Sequence, residues 1–183
     1  PLQKIQMSNG VLKDNEFGSI EEDAERRDFT INALYYDVEN KNLIDFYGGL
    51  KDIQDNKLRL IGEPKLRYKE DPIRILRAIR FSAKLKMKIH SETLNEIRNS
   101  MDLLQSAPYS RLFDEVMKFF FTGHSQESMV LFKKYNLSNL YFPSLENDNK
   151  IFNDFLLQAL INTDLRIKNG QSINPGFLLA VFL

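Results

Sequence analysis

The spacing of hydrophobic and polar positions changes about one third of the way along the chain. Before Gly62 the apolar runs are short and mostly rich in aromatic or β-branched residues, which favours strands. Ser19 followed by Glu22 matches the capping box that begins a helix, here predicted to end near Arg27. The elements predicted after it are a strand over 29–36, a hairpin loop over 37–42, a strand over 43–47, a short helix over 50–54 and a strand over 58–62.

Beyond Gly62 the apolar positions follow helical spacing. Asp71 followed by Pro72 is typical of a helix start, since a carboxylate caps the free N–H groups and proline fits the first turn. Helices are predicted over 72–86, 91–101, 110–121, 125–135, 151–163 and from 175 onward. The predicted fold class is therefore α+β, with a small mixed segment followed by a helical bundle.

Composition narrows the possible partners. Lys and Arg number 25 and so do Asp and Glu, so any contact with RNA needs a local basic face. The chain has no cysteine, which excludes disulfides and thiolate metal sites and fits a reducing compartment. No apolar run approaches the roughly 20 residues that span a bilayer. A cytoplasmic protein without a membrane partner is predicted.

Both ends of the sequence predict a chain cut out of a longer one. It begins at Pro1 without an initiator methionine, and it ends in the apolar run 177–183. That run has no Gly, Asn or basic residue to close a helix.

A first group of candidate site residues lies where the first helix gives way to a strand. Asp28 directly follows Arg26 and Arg27. A carboxylate fixed at a strand start can bind a divalent cation, and guanidinium groups can bind a triphosphate in bidentate fashion. Asn32 can donate to and accept from a sugar hydroxyl.

A second group lies on the helix that follows Asp71. Helical spacing places Arg74, Arg77 and Arg80 on one side, opposite an apolar face formed by Ile75, Leu76 and Ile79. Three arginines in one stripe repel one another unless an anion lies across them. Asp71 lies one turn before Arg74, so the two side chains are expected to form a rigid pair that can read the edge of a base.

Each group also has a purely structural interpretation. The two arginines before Asp28 can pair with acidic residues along an exposed helix, namely Glu21, Glu22 and Glu25, and spacing alone favours that interpretation. Asp71 can be an ordinary helix cap. The arginine stripe can be solvated or contact acidic residues of a neighbouring helix.

Other features favour structural roles. Gly48 and Gly49, within 45–52, allow a tight turn or a close backbone approach, and a plain turn is favoured. His90 and His124 lack the spacing of a zinc site, and the phenylalanines of 113–121 are predicted to pack in the core. The tracts 65–69 and 133–135 interleave basic and aromatic residues as single-strand binders do, but such tracts are also common on ordinary surfaces.

Three motifs, in order and with their spacing, resemble the class II nucleotidyltransferases, a family that comprises bacterial poly(A) polymerases and CCA-adding tRNA nucleotidyltransferases. They are 26–33, 45–52 and 70–81. Further segments resemble the poly(A) polymerase branch, namely 14–24, 59–62, 110–115 and 162–167. The resemblance implies the end of a nucleotidyltransferase head over 1–60, neck helices over 61–107 that bind nucleotide and RNA, and a helical body over 108–183.

The resemblance also implies a reaction, the transfer of AMP from ATP to an RNA 3′-hydroxyl with release of pyrophosphate. Asp28 would be the third catalytic carboxylate and a ligand of a two-metal site, with Mg²⁺ as the expected ion. The other implied roles are triphosphate and ribose binding by Arg26, Arg27 and Asn32, base recognition by Asp71 and Arg74, and support or phosphate contact by Arg77 and Arg80.

The sequence departs from the family in lacking the upstream Gly-Gly-x-x-Arg-Asp turn and Asp-x-Asp strand. One carboxylate cannot assemble a two-metal site, so this chain by itself is predicted to be inactive. Two alternatives to polyadenylation stay open. One is CCA addition to tRNA with CTP and ATP, and the other is a non-catalytic RNA-binding helical module.

Overall fold

The computed structural model describes residues 7–8, 11–12, 18–146 and 149–183. Strands β1 (Met7–Ser8) and β2 (Val11–Leu12) pair antiparallel. The stretch 14–17, part of one segment that resembles the poly(A) polymerase branch, lies outside the described residues.

Helix α1 (Ile20–Arg26) begins with the predicted capping box. The Ser19 hydroxyl accepts a hydrogen bond from the Glu22 N–H at 3.1 Å, and the Glu22 carboxylate accepts one from the Ser19 N–H at 2.8 Å. This reciprocal pair fixes the start of the helix whose end leads into Asp28.

The predicted strand over 29–36 is wrong in its first half. Phe29 forms one antiparallel bridge with Leu60, a 3₁₀ turn follows over Thr30–Asn32, and only then does strand β3 (Leu34–Asp37) begin. The Asp28 carboxylate accepts a hydrogen bond from the Phe29 N–H at 2.9 Å, and the Thr30 hydroxyl donates to the buried Asp52 at 2.8 Å. These side-chain bonds stabilise a turn where propensity alone favours a strand.

Three two-stranded pairs form among the described residues. β3 pairs antiparallel with β4 (Asn42–Asp45), close to the predicted hairpin. β5 (Lys57–Leu58) is shorter than the predicted strand 58–62 and pairs in parallel with β6 (Lys88–Ile89), which was not predicted. That pairing joins the mixed segment to the helices beyond it.

Most predicted helices are present with shifted ends. Two were not predicted, α3 (Pro64–Glu70) and α8 (Leu137–Tyr141). The others are α2 (Gly49–Gln54), α4 (Ile73–Leu85), α5 (Ser91–Ser100), α6 (Tyr109–Phe120), α7 (Ser125–Lys134), α9 (Lys150–Lys168) and α10 (Pro175–Phe182), with 3₁₀ turns at Met101–Ser106 and Pro143–Glu146. The α+β class is confirmed. Of the described helices, none is both long and apolar enough to cross a membrane.

One hydrophobic core connects the mixed segment to the helices. The same buried cluster holds Phe29 beside the Asp28 turn, Ile79 of α4, Phe120 of α6 and Phe182 of α10. Phe119 and Phe120 both contact Phe132, with ring centroids 5.5 and 5.3 Å apart. The phenylalanines of α6 therefore pack mainly in the core, as predicted, although Phe113 is 51% exposed.

Candidate nucleotide-binding site

An open groove of about 580 Å³ lies where the Asp28 turn meets α4 and α6. Seven of the eight residues predicted for the site line it, and Arg80 is the exception. Its basic residues outnumber its acidic ones by six to four, which favours an anionic ligand. The lining residues are Arg26, Arg27, Asp28, Asn32, Asp71, Ile73, Arg74, Arg77, Arg111, Asp114, Glu115 and Lys118.

Asp28 is held from two sides and is only 9% exposed. Its Oδ1 accepts hydrogen bonds from the Phe29 N–H and from Asn32 Nδ2, both at 2.9 Å. Its Oδ2 accepts one from Arg77 Nε at 2.7 Å. The two groups of candidate residues, far apart along the chain, thus meet through Asp28 and Arg77.

Arg26 and Arg27 are bonded along α1. Arg27 donates from Nε and Nη2 to Asp23 Oδ2 at 3.1 and 2.8 Å, and Arg26 donates to the Glu22 carbonyl at 3.0 Å. Tyr35 donates its hydroxyl to the same Asp23 oxygen at 2.7 Å. The hydrogen bonds from Tyr35 and Arg27 hold the pKa of Asp23 below its ordinary value. The structural interpretation, an ion pair with an acidic residue of the same helix, is therefore correct for Arg27, but the partner is Asp23 rather than a glutamate.

Asp71 and Arg74 do not form the expected pair. The Arg74 Nη1 donates to the Glu70 carboxylate at 3.0 Å and to the Arg67 carbonyl at 2.9 Å. Asp71 instead accepts from Arg111 of α6 at 2.7 Å and from the Ile73 N–H at 3.3 Å. Arg74 pairs with Glu70, one turn before it, so the prediction of an Asp71–Arg74 pair was wrong. The N-cap of α4 is Pro72 rather than Asp71, but the Asp71 carboxylate does accept from the N–H of Ile73, the first residue of the helix.

Arg77 and Arg80 converge on Glu115, a buried carboxylate of α6. Arg80 Nε lies 3.0 Å and Arg77 Nη1 3.4 Å from the Glu115 oxygens, and Lys118 Nζ lies at 2.9 Å. Burial raises the pKa of Glu115, but the hydrogen bond from Lys118 and the charge of Arg80 outweigh it and lower the pKa overall. Contact with an acidic residue of a neighbouring helix, one of the structural interpretations, is therefore correct for both arginines.

Sequence reasoning missed the four residues that α6 contributes to the groove. Their spacing of three and four residues was a usable signal, since it places one polar stripe on a helix whose other positions are largely apolar. The four are Arg111, Asp114, Glu115 and Lys118.

The segment 45–52 supports the turn that carries Asp28. Asp45 accepts hydrogen bonds from the Gly49 and Leu50 N–H groups at 2.8 and 3.0 Å and so caps α2. The backbone of Gly49 lies so near the turn that a Cβ there would be 2.3 Å from the Thr30 carbonyl oxygen. A turn therefore precedes α2, which begins at Gly49, and the backbone of Gly49 also makes a close contact.

Replacing Gly49 with alanine is expected to destabilise the fold by about 1–3 kcal/mol, because the added methyl group must displace the Thr30 carbonyl. Gly48→Ala is the matched control. Gly48 has φ +74°, but a Cβ added there would meet no atom within 4 Å, so only a backbone cost of about 1 kcal/mol applies. Urea denaturation of both variants checks this, and equal losses would contradict it.

The described residues do not by themselves form a metal site. Among them, no three His, Asp or Glu side chains are grouped so that they could hold an ion. Asp28 offers one carboxylate, and both of its oxygens already accept hydrogen bonds. His90 lies 3.0 Å from the Arg59 guanidinium instead. Any divalent cation would need further carboxylates beyond those residues.

Two family models match the chain. One, described as "Poly A polymerase head domain", matches residues 3–59 and contains the Asp28 turn. The other, described as "Probable RNA and SrmB-binding site of polymerase A", matches residues 86–149 and contains the groove residues of α6.

Curated relatives agree with these matches. Poly(A) polymerase I of Escherichia coli is 47% identical over 94% of this chain, and that of Haemophilus influenzae is 42% identical over 98%. A CCA-adding enzyme of Streptococcus uberis is 40% identical over 70%. The chain spans 38% and 41% of the lengths of the two poly(A) polymerases.

Solved structures share the fold. A tRNA-processing enzyme in its apo form I has a TM-score of 0.74 at 30% identity, over 90% of this chain and 46% of its own. A tRNA nucleotidyltransferase complexed with a primer tRNA and an incoming ATP analogue has a TM-score of 0.72 at 28% identity, over 92% of this chain and 51% of its own. The chain therefore belongs to the class II family of poly(A) polymerases and tRNA nucleotidyltransferases.

Proposed function

We propose that the full-length protein polyadenylates RNA, transferring AMP from ATP to the RNA 3′-hydroxyl and releasing pyrophosphate. The observation that carries the proposal is the meeting of the Asp28 turn with the arginines of α4 in one groove with a basic surplus. Poly(A) polymerases match more of this chain than the CCA-adding relative does, which supports ATP rather than CTP and ATP together as the nucleotide used. A cytoplasmic role in mRNA processing is part of the same proposal.

The groove residues divide between the parts of the nucleotide. Arg26, Arg27 and Asn32 face the triphosphate and ribose in this proposal, since guanidinium groups suit phosphate oxygens. Asp71 and Arg74 face the base, because a carboxylate accepts from an amino group and a guanidinium donates to ring nitrogens. Arg77 and Arg80 support this arrangement from the Glu115 side.

Asp28 would take part in divalent metal binding together with carboxylates from outside this chain. Mg²⁺ is the proposed ion, and when bound it would supply charge stabilisation at the reacting phosphate. The turn over Thr30–Asn32 holds the Asp28 carboxylate in one orientation, as such a ligand requires. The chain of 183 residues alone is expected to extend no RNA.

Nucleotide choice tests the proposal. The full-length protein is incubated with an mRNA-like oligonucleotide or a tRNA lacking its CCA end, and ATP, CTP or both together are offered with Mg²⁺. Runs of A on both RNAs are expected. Transfer of C, C and A from CTP and ATP to the tRNA, in a strict three-nucleotide product with release of pyrophosphate, would instead identify a CCA-adding enzyme. Structural neighbours such as a CCA-adding enzyme in complex with CTP favour that candidate. RNA binding without extension would favour the non-catalytic module.

A further inference from the structure

Arg67 of α3 links the end of α1 to Glu70, the residue that pairs with Arg74. Its Nη2 donates to the carbonyl oxygens of Arg27 at 2.7 Å and Arg26 at 3.2 Å, where α1 ends. Its Nη1 donates to the Glu70 carboxylate at 3.0 Å, and Glu70 also accepts from Arg74. A continuous path of hydrogen bonds therefore runs from the end of α1 to the first turn of α4.

The Arg67 side chain is mostly buried, and its surroundings hold it in the orientation that makes these contacts. Its side chain is only 14% exposed, and its stem lies beside Gly62, where a Cβ would be 3.4 Å from Arg67 Cδ. Its Nε is buried and has no partner among the described residues, so the bonds of the two terminal nitrogens set its position. The last carbonyls of a helix lack partners within the helix, and a cation there satisfies them.

The two ends of the path have different proposed tasks. Asp28 directly follows Arg27, whose carbonyl oxygen Arg67 holds, so that end belongs to the phosphate and metal side of the groove. Arg74, at the other end, faces the base. A shift of Arg67 would therefore change the distance between the phosphate-binding and base-reading groups.

We propose that Arg67 is a positioning residue that fixes the base-reading Arg74 relative to the segment carrying Arg27 and Asp28, and so contributes to the choice between ATP and CTP. This inference rests on the proposed function. Lysine cannot replace Arg67, because one ammonium group cannot bond the α1 carbonyls and Glu70 with the geometry of a planar guanidinium.

The test measures kcat and KM for ATP and for CTP on an RNA primer, using the full-length protein and the variants Arg67→Lys and Arg67→Met. Both variants are expected to raise the KM for ATP about tenfold, since charge-assisted hydrogen bonds are lost, and to lower the ATP-to-CTP ratio of kcat/KM by a similar factor. Arg166→Met is the matched control. Arg166 also donates to a backbone carbonyl, that of Ser172 at 2.8 Å, but lies outside the groove, so its ratio should equal that of the parent.

Four results would overturn the inference. An unchanged ATP-to-CTP ratio of kcat/KM in both Arg67 variants would exclude a role in specificity. The same conclusion would follow if the use of ATP and of CTP fell equally and in step with a loss of thermal stability. Full rescue by lysine would mean that charge alone suffices. A parent protein that extends no RNA with any nucleotide overturns the proposed function itself, and this inference with it.

Discussion

Asp28→Asn in the full-length protein is expected to lower kcat for ATP incorporation by about 100-fold or more, the scale seen when one electrostatic group is removed from an active site. The asparagine Oδ1 can still accept from the Phe29 N–H, so the turn should persist. Its amide carries no charge to offer a metal ion, and it faces Arg77, which is also a donor. The measurement is gel-based extension of an RNA primer with ATP and Mg²⁺.

Asp55→Asn provides the control for this substitution. Asp55 forms an exposed ion pair with Lys57 at 3.1 Å, away from the groove, and such pairs contribute little. The control should retain the activity of the parent, and both variants should give the circular dichroism spectrum of the parent. Parental kcat in Asp28→Asn, with the fold intact, would exclude Asp28 from the chemistry.

Glu115→Gln is expected to destabilise the protein by about 3 kcal/mol, because a neutral amide leaves the buried Arg80 without its counter-charge, whereas Arg77 keeps its pair with Asp28. The side chain of Glu115 is 5% exposed and that of Arg80 7%, so water cannot replace the lost partner. Urea denaturation followed by circular dichroism measures the change. Glu127→Gln is the control, since the Glu127 side chain is half exposed and its carboxylate lies 3.9 Å from the Lys86 ammonium group. This substitution should change the free energy of unfolding by less than about 0.5 kcal/mol.

The pH dependence of stability gives a second check on Glu115. Burial opposes its ionisation, but the hydrogen bond from Lys118 and the nearby arginines lower its pKa below the ordinary 4.5. A carboxyl group with a lowered pKa stabilises the fold above its unfolded pKa, and that contribution disappears as the pH falls through the folded pKa. The parent should therefore lose more stability than Glu115→Gln on acidification below about pH 4.5. Parallel stability curves would contradict this.

Local patterns were sufficient to predict α1 and α4. The capping box at Ser19 and the alternation of arginines with Ile75 and Ile79 are determined by residues within a few turns of one another. The motifs further predicted that Asp28 and the arginine stripe border one site, and Asp28, Arg74 and Arg77 do line one groove, whereas Arg80 does not. What the site binds stays a proposal.

Non-local contacts explain what the sequence did not predict. The stretch after Asp28 has strand propensity, but the bond between Thr30 and the buried Asp52, 22 residues away, favours a turn. Likewise, Arg111 reaches Asp71 only because α6 packs against α4. Propensity and spacing contain no information about which helix will supply such a partner.

Phe29 packs edge to face against Phe81, with ring centroids 5.7 Å apart. The β5–β6 pairing ties the same region to β6, and the hydrogen bond from the Leu60 N–H to the Thr93 hydroxyl ties it to α5. The backbone around the groove is thus preorganised before any nucleotide arrives. An incoming triphosphate would be accommodated by rotamer exchange, in which phosphate oxygens take over guanidinium groups from carboxylates such as Asp28 and Asp23. Much of the entropic cost of ordering those arginines has then been met during folding rather than during recognition.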